Sequence, residues 1–300
     1  MYRDFYGLVR RPFEMTPDPT FLYLGEAHKE GLATLLYGVQ ARKGFVLLTG
    51  EVGTGKTTLL HALLAQLDPD TLSAFIFNPK LEPLDFFRTL FDEFGIEREC
   101  RTKAEYLITF NHFLIDRLGR DHPTLLIVDE AQTLSAEMLE EIRLLSNLET
   151  PTSKLIQIML VGQPELWEKL SRPELRQLRQ RIVLRHSLRA FTPTETAQYV
   201  EERLRLAGYT GKGIFQKSAL RQLHQASDGI PRLVNVLCDG ALLLGFGREK
   251  ESLSAGDVRE VAADLDLAPT RAPEGEAGQR RRPEGFRLPR LFRRRPAKEV

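Results

Sequence analysis

Along the first 190 residues, short apolar runs alternate with segments whose apolar positions recur every three to four residues. The runs at residues 45–49 (FVLLT), 73–77 (SAFIF), 124–128 (TLLIV) and 155–161 (LIQIMLV) have the length and composition of strands buried on both faces. A fifth strand is expected at 181–188 (RIVLRHSL). Between them, GKTTLLHALLAQL, LDFFRTLFDEF, KAEYLITFNHFLIDRL, SAEMLEEIRLLSNL and PELWEKL carry the helical period. This alternation predicts an α/β fold, a parallel sheet covered by helices on both faces.

After about Ala190 the strand pattern stops. The sequence TPTE, Thr192 to Glu195, is a capping box with proline at the first helical position, and it opens a helix over ETAQYVEERLRLAG. Further helices are expected over QKSALRQLHQAS, PRLVNVLCDGALLLGF and SAGDVREVAADL. The expected organisation is an α/β domain over 1–190, with an N-terminal extension and helix in 1–44, and an all-helical domain over 191–267. The segment 268–300 is rich in proline, glycine and charge, and is expected to be disordered. No internal repeat is visible.

Composition adds three constraints. A chain of 300 residues, 42% hydrophobic, can bury a sizeable core. Its net charge of +1 hides an asymmetry: residues 269–300 hold ten Lys/Arg and four Asp/Glu, leaving a mildly acidic body and a basic tail. The two cysteines, Cys100 and Cys238, stand far apart without a secretory leader, and no run approaches the roughly 18 apolar residues of a membrane span. A cytoplasmic protein is the expectation.

The sequence GEVGTGKT at residues 50–57 fits G-x-x-x-x-G-K-[ST] between a predicted strand and a predicted helix, the context of a phosphate-binding loop. Backbone N–H groups from Gly50, Glu51, Val52, Gly53, Thr54 and Gly55 and the helix N-terminus stabilise negative charge, and Lys56 reaches the outer phosphates. Thr57 offers a hydroxyl to Mg²⁺, and Thr58 follows within the same stretch. In LLIVDEAQ, Asp129 and Glu130 close a buried strand, where ligands of open parallel sheets gather. Asp129 suits Mg²⁺, and Glu130 suits orientation of an attacking water.

Gln163, in VGQPEL, is expected just past the fourth strand, where its amide can meet a γ-phosphate or the attacking water. Arg172, Arg176, Arg179 and Arg181 precede the fifth strand, and one or two of them suit stabilisation of phosphoryl-transfer charge from a neighbouring subunit; the others read as a solvated helix face. In the tail, Phe286, Leu288, Leu291 and Phe292 are interleaved with arginines, which suits anionic lipid, nucleic acid or an acidic partner, with a solvating tail as the bland alternative. The histidines show no metal spacing, and Cys238 in an apolar helix reads as core.

Taken together, FYGLVRRPFEMTPDP, GEVGTGKTT, LLIVDEAQTLSAEMLEEIRLLSNLET, LVGQPEL, LRQLRQRI and SDGIPRLVNVLCDGALL resemble the AAA+ ATPases of the ExeA type, the general secretion pathway protein A group, with its pilus-biogenesis and exosortase-system relatives. The resemblance implies a RecA-like sheet in the order 5-1-4-3-2 with a helical lid. It implies ATP and Mg²⁺ as ligands, Lys56 and Thr57 in the first nucleotide motif, Asp129 and Glu130 in the second, and Gln163 as first sensor. Arg181 becomes the leading candidate for a finger acting on the neighbouring subunit, with Arg179 in reserve. Arg232, in the Gly-x-Pro-Arg of DGIPRLVN, becomes the second sensor, reaching from the lid to the phosphates. A nucleotide-promoted homo-oligomer follows by analogy.

ExeA proper continues through a membrane span into a peptidoglycan-binding region; neither is expected here, so cell-wall binding is not carried over. The leading expectation is a cytoplasmic ATPase, peripheral at the inner membrane, acting on a membrane-associated envelope-assembly protein of a secretion, pilus or exopolysaccharide system. A DNA-dependent ATPase of the transposition-regulator or initiator kind is the alternative, weakened by the acidic body. A nucleotide-gated scaffold with slow hydrolysis is the third.

Overall fold

The structure is a computed structural model that describes residues 1–15, 21, 23–77, 82–151 and 153–267. These residues all fall within one compact unit, Met1–Ala268. The basic tail from 268 onward, with its expected disorder and ligands, lies outside the described residues.

Among the described residues, five parallel strands form one sheet: β1 (Phe45–Gly50), β2 (Leu72–Ile76), β3 (Thr124–Val128), β4 (Gln157–Gly162) and β5 (Ile182–Leu188), in the spatial order β2-β3-β4-β1-β5. This is the expected 5-1-4-3-2 arrangement. The three central strands are buried along their whole length, which is why they read as continuous apolar runs. β5, at the edge, alternates between half-buried and exposed positions.

The pleat sends successive side chains to opposite faces. Phe45, Leu47, Leu126, Val128, Ile158 and Leu160 join one core with α4 (Pro83–Phe94), α5 (Lys103–Gly119) and α6 (Ala136–Leu145). Val46, Leu48, Leu125, Ile127, Met159 and Val161 join the other with α2 (Glu26–Gln40) and α3 (Lys56–Leu64). Each such side chain, fully buried, contributes about 1.5–3 kcal/mol relative to exposure. The strand ends that carry the loop and the acidic residues are therefore anchored by buried side chains on both faces.

Strand ends shift by one or two residues from the sequence expectation: β2 occupies Leu72–Ile76 rather than 73–77, and β1 and β4 each run one residue further, to Gly50 and Gly162. Leu155 and Ile156 are buried but precede the ladder; the Leu155 N–H donates instead to the Leu148 carbonyl, so β4 starts at Gln157. Arg181 is not a strand residue: it ends a short helix, α8 (Arg176–Arg181), which follows α7 (Glu165–Leu170).

Beyond β5, α9 (Pro193–Leu206), α10 (Lys217–Ser227), α11 (Pro231–Gly247) and α12 (Ala255–Asp264) pack around a third apolar core. The N-terminal segment belongs to that core. In α1 (Tyr2–Phe5) the Tyr2 hydroxyl donates to Asp239 at 2.5 Å, and Tyr6 and Phe13 are buried among the C-terminal helices. The chain thus begins on the C-terminal helices and then crosses to α2 and the sheet. Cys100 and Cys238 are both buried and unpaired with each other.

Candidate active site

β1 ends at Gly50, and the following loop wraps back so that Gly55, with φ of 98°, caps the N-terminus of α3. That left-handed conformation is open to glycine without steric penalty. Neighbours also crowd the loop: a Cβ on Gly50 would lie 2.9 Å from the Leu188 carbonyl oxygen, and one on Gly53 would lie 2.7 Å from Arg232 Cβ. Lys56, only 8% exposed, donates from Nζ to the carbonyls of Gly50 at 2.7 Å and Glu51 at 3.1 Å. Burial holds its ammonium below the usual lysine range, and the charges of Glu130, Asp129 and Glu51 oppose that shift. Its two hydrogen bonds hold Nζ along the loop backbone.

β3 delivers Asp129 and Glu130 beside that loop. Asp129 is buried, which raises its carboxyl above the usual range, while the Glu130 N–H donates to its Oδ1 at 2.8 Å and pulls the other way. Glu130 adopts φ of 50°, turning the chain into a tight turn over Ala131–Thr133. Its Oε2 accepts from Gln132 Nε2 at 2.5 Å and from Gln163 Nε2 at 3.4 Å. Gln163 follows β4, and its backbone N–H donates to Gln132 Oε1 at 3.1 Å.

α11 supplies the last wall. Asp228 and Gly229 both adopt positive φ, 48° and 72°, and a Cβ on Gly229 would lie 2.0 Å from the Phe191 carbonyl oxygen. Pro231 then starts the helix, and the Arg232 N–H donates to the Gly53 carbonyl at 3.2 Å. A cavity of about 570 Å³ is bounded by Gly53, Gly55, Lys56, Thr57, Thr58, Asp129, Glu130 and Arg232, among others. The structure thus brings the loop, both acidic residues and Arg232 to one cavity, with Gln163 bonded to Glu130.

Arg181 and Arg179 are not brought there. Arg181 donates to Ser146 Oγ at 2.5 Å and Asn147 Oδ1 at 2.6 Å, and the next residue, Ile182, is paired with Phe45 at the start of β1. The loop leaves the other end of that strand, about 16 Å away at a strand's rise per residue. Arg179 reaches only the Ser171 carbonyl, at 3.5 Å.

Several site residues carried no signal in the sequence reading. Gln132, two residues beyond Glu130, bridges it to Gln163. His28 on α2 is 3% exposed and meets the Thr54 carbonyl through Nε2 at 3.0 Å; an acceptor there means that Nε2 carries the proton. Burial keeps its imidazole below the usual histidine range, against the pull of that carbonyl. The far cavity wall contains Phe21, Tyr199, Arg203 and Asn235. Arg203 lies over the Phe21 ring at 4.9 Å and donates to the Pro12 carbonyl and to the Tyr199 hydroxyl, which donates to Asn235 Oδ1 at 2.7 Å. These contacts span up to 191 positions of chain, so no local spacing announces them.

The arrangement fits a nucleoside triphosphate with a divalent cation. Thr57 and Asp129 line the same cavity and offer hard oxygen donors, and no cluster of three or more His, Cys, Asp or Glu suited to a metal occurs among the described residues. That donor set matches Mg²⁺, which takes one or two protein oxygens and completes its shell with phosphates and water. No helix among the described residues is long and apolar enough to cross a membrane.

Comparison with known proteins agrees with this geometry. Residues 39–170 match the AAA domain family. General secretion pathway protein A of Aeromonas hydrophila is 43% identical over 267 residues, 88% of this chain but 48% of the relative, so the chain spans about half of that protein's length. Among solved structures, the Aeropyrum pernix ORC2 protein, in ADPNP-ADP complexes, superposes with a TM-score of 0.63 at 19% identity, covering 85% of this chain and 71% of that one. Cdc6p from Pyrobaculum aerophilum follows with a TM-score of 0.62 at 18% identity, over 83% and 71% of the two chains. At these identities the structural likeness speaks for the fold, and the secretion-pathway relative speaks for the branch within it. With the sheet order, the loop and the paired acidic residues, these similarities identify the chain as a member of the ExeA-type, general secretion pathway protein A group of AAA+ ATPases.

Proposed function

We propose that this chain hydrolyses ATP to ADP and phosphate and uses the cycle to assemble or position a cell-envelope complex. The observation that carries the reading is the convergence of Lys56, Asp129, Glu130 and Arg232 on one cavity, with Gln163 hydrogen-bonded to Glu130. Water attacks the γ-phosphorus as the bond to the bridging oxygen of ADP breaks, and Glu130 takes the water's proton. Lys56 and the N–H groups at the start of α3 stabilise the phosphate charge. Gln163 orients the water or the γ-phosphate. Thr57 and Asp129 would hold Mg²⁺, which when bound neutralises charge on the phosphate oxygens.

In this reading residues 191–267 act as a lid, and Arg232 couples phosphate state to lid angle. Arg181, with Arg179 in reserve, serves the site of a neighbouring subunit, which makes a nucleotide-promoted homo-oligomer part of the proposal. The envelope role rests on the 43% identity to general secretion pathway protein A. A membrane-associated assembly protein is the partner class, the chain works at the cytoplasmic face, and the basic segment 268–300 has a composition suited to anionic lipid.

The test compares wild type with Glu130→Gln in ATP binding and turnover, then adds duplex DNA or anionic vesicles. Retained ATP affinity with turnover reduced about 10²–10⁴-fold supports the role of Glu130. Stimulation of wild-type turnover by vesicles supports the envelope reading. Strong, salt-sensitive stimulation by DNA alone would replace it with the DNA-dependent alternative, and very slow turnover under every condition would favour a nucleotide-gated scaffold.

A further inference from the structure

The reading of Glu130 as the base leaves open what decides which of its oxygens faces the water. Both donors to this carboxylate, Gln132 Nε2 and Gln163 Nε2, land on Oε2. At 2.5 Å against 3.4 Å, the Gln132 contact dominates, because hydrogen bonds weaken steeply with length.

The orientation of the Gln132 amide is set by its other end. Its oxygen faces the Gln163 backbone N–H at 3.1 Å, which requires an acceptor, so its nitrogen must face the carboxylate. The group cannot flip without confronting two donors at one end and two acceptors at the other. Its backbone is held as well: Lys169 Nζ on α7 donates to the Gln132 carbonyl at 3.1 Å, and the Thr133 hydroxyl donates to the Glu130 carbonyl at 2.8 Å. The space is closed, since a Cβ on Gly162, at the end of β4, would lie 2.5 Å from Gln132 Oε1 and 2.9 Å from Leu166 Cδ2.

We infer that Gln132 is a positioning residue that ties the Glu130 carboxylate to the end of β4, pinning Oε2 and leaving Oε1 to receive the proton of the attacking water. The inference rests on the proposed role of Glu130. It has a further consequence: Gln163 meets Glu130 through its own amide and through Gln132, so a displacement of the Gln163 backbone moves the base. Base and phosphate-sensing residue are then one mechanical unit rather than two independent contacts.

A double-mutant cycle on the full chain, with equilibrium ATP binding and steady-state turnover measured for each variant, tests this. Gln132→Ala and Gln132→Met are expected to bind ATP within about 2-fold of wild type while kcat falls about 10²-fold, the loss typical of a reacting group displaced by about 1 Å. Gln132→Glu, which keeps the shape but replaces the donor by a second carboxylate, is expected to lose at least as much. In the Glu130→Gln background, Gln132→Ala is expected to cost nothing further, because the group it positions is gone.

Three results overturn the inference: unchanged kcat in both Gln132→Ala and Gln132→Met, losses that multiply with Glu130→Gln, or a loss confined to ATP affinity. If Glu130→Gln itself retains wild-type turnover, the role of Glu130 fails, and the inference fails with it. Intact turnover in the Gln132 variants beside an inactive Glu130→Gln leaves the base in place and removes only its positioner. Should Gln132→Ala fail to fold, Gly162→Ala approaches the same contact from the other side and is expected to reproduce the kcat loss.

Discussion

The N–H of Arg232, in the first turn of α11, donates to the carbonyl of Gly53 in the phosphate loop at 3.2 Å, and no room remains between the two residues for a side chain on the glycine. The loop and the C-terminal helices therefore meet backbone to backbone. With the main chain so fixed, the Arg232 side chain is free to serve a ligand. Arg232→Ala is expected to leave the thermal midpoint within about 2 °C of wild type, because the backbone contact survives. It should weaken ATP binding about 10- to 100-fold, the range for losing a hydrogen bond to a charged group. Equilibrium nucleotide binding beside a melting curve checks both; unchanged affinity returns this arginine to a surface role.

Gly53→Ala attacks the same junction sterically. At φ of 81° an added Cβ is strained and would also lie 2.7 Å from Arg232 Cβ. A cost of about 1–3 kcal/mol is expected for the strain alone. The loop must shift, so ATP binding should fall at least about 10-fold, measured by titration with a fluorescent nucleotide.

Glu195 is the joint between the sheet side and the C-terminal helices. Its carboxylate accepts from Arg189 at 2.7 Å, from the Thr192 N–H at 2.8 Å and from the Glu26 N–H at the start of α2 at 2.9 Å. Burial alone would raise its pKa, but Arg189 and the N–H groups of Thr192 and Glu26 outweigh that and bring it down to about 2. With the folded pKa below the unfolded one, this stability is fully present above about pH 4.5 and is lost as pH falls through about 2. Linkage makes it on the order of 3 kcal/mol. Urea melts of wild type and Glu195→Gln at pH 7 and pH 3 should differ more at pH 7. An equal difference at both pH values would falsify the charge-based account.

Arg181 stands at the sheet end remote from its own loop, so any effect on hydrolysis must come through a neighbour. Arg181→Ala should bind ATP normally and lose turnover about 10³-fold or more, the range for a finger supplied in trans. Mixing it with Lys56→Ala, which is expected to bind no nucleotide, should restore part of the activity, because Lys56→Ala subunits still offer Arg181 to intact sites. No recovery in the mixture sinks the trans assignment. In that event the bonds to Ser146 and Asn147 make Arg181 a structural tie between α6 and α8.

Much of this molecule was legible in its sequence, and the reason is locality. The continuous apolar runs of β1, β3 and β4 announced strands buried on both faces, and the structure buries them along their whole length. The phosphate loop was legible because close backbone approach demands glycine at fixed spacing, and the start of α9 because Thr192 and Glu195 cap each other within three residues. DGIPRLVN was legible for a similar reason: a glycine that permits a tight turn, followed by a proline that starts a helix, is a local signal, and the structure gives Gly229 a positive φ and begins α11 at Pro231. Only the tertiary structure decided the rest. Gln132 looked like one more polar residue after DEA until β4 brought Gln163 to its amide, and Glu195 looked like a helix cap until α2, 169 positions earlier, offered it the Glu26 N–H. His28, Phe21 and Arg203 reached the site by the same route. Such contacts join residues distant in the chain, and they leave no period, spacing or composition for a sequence to display.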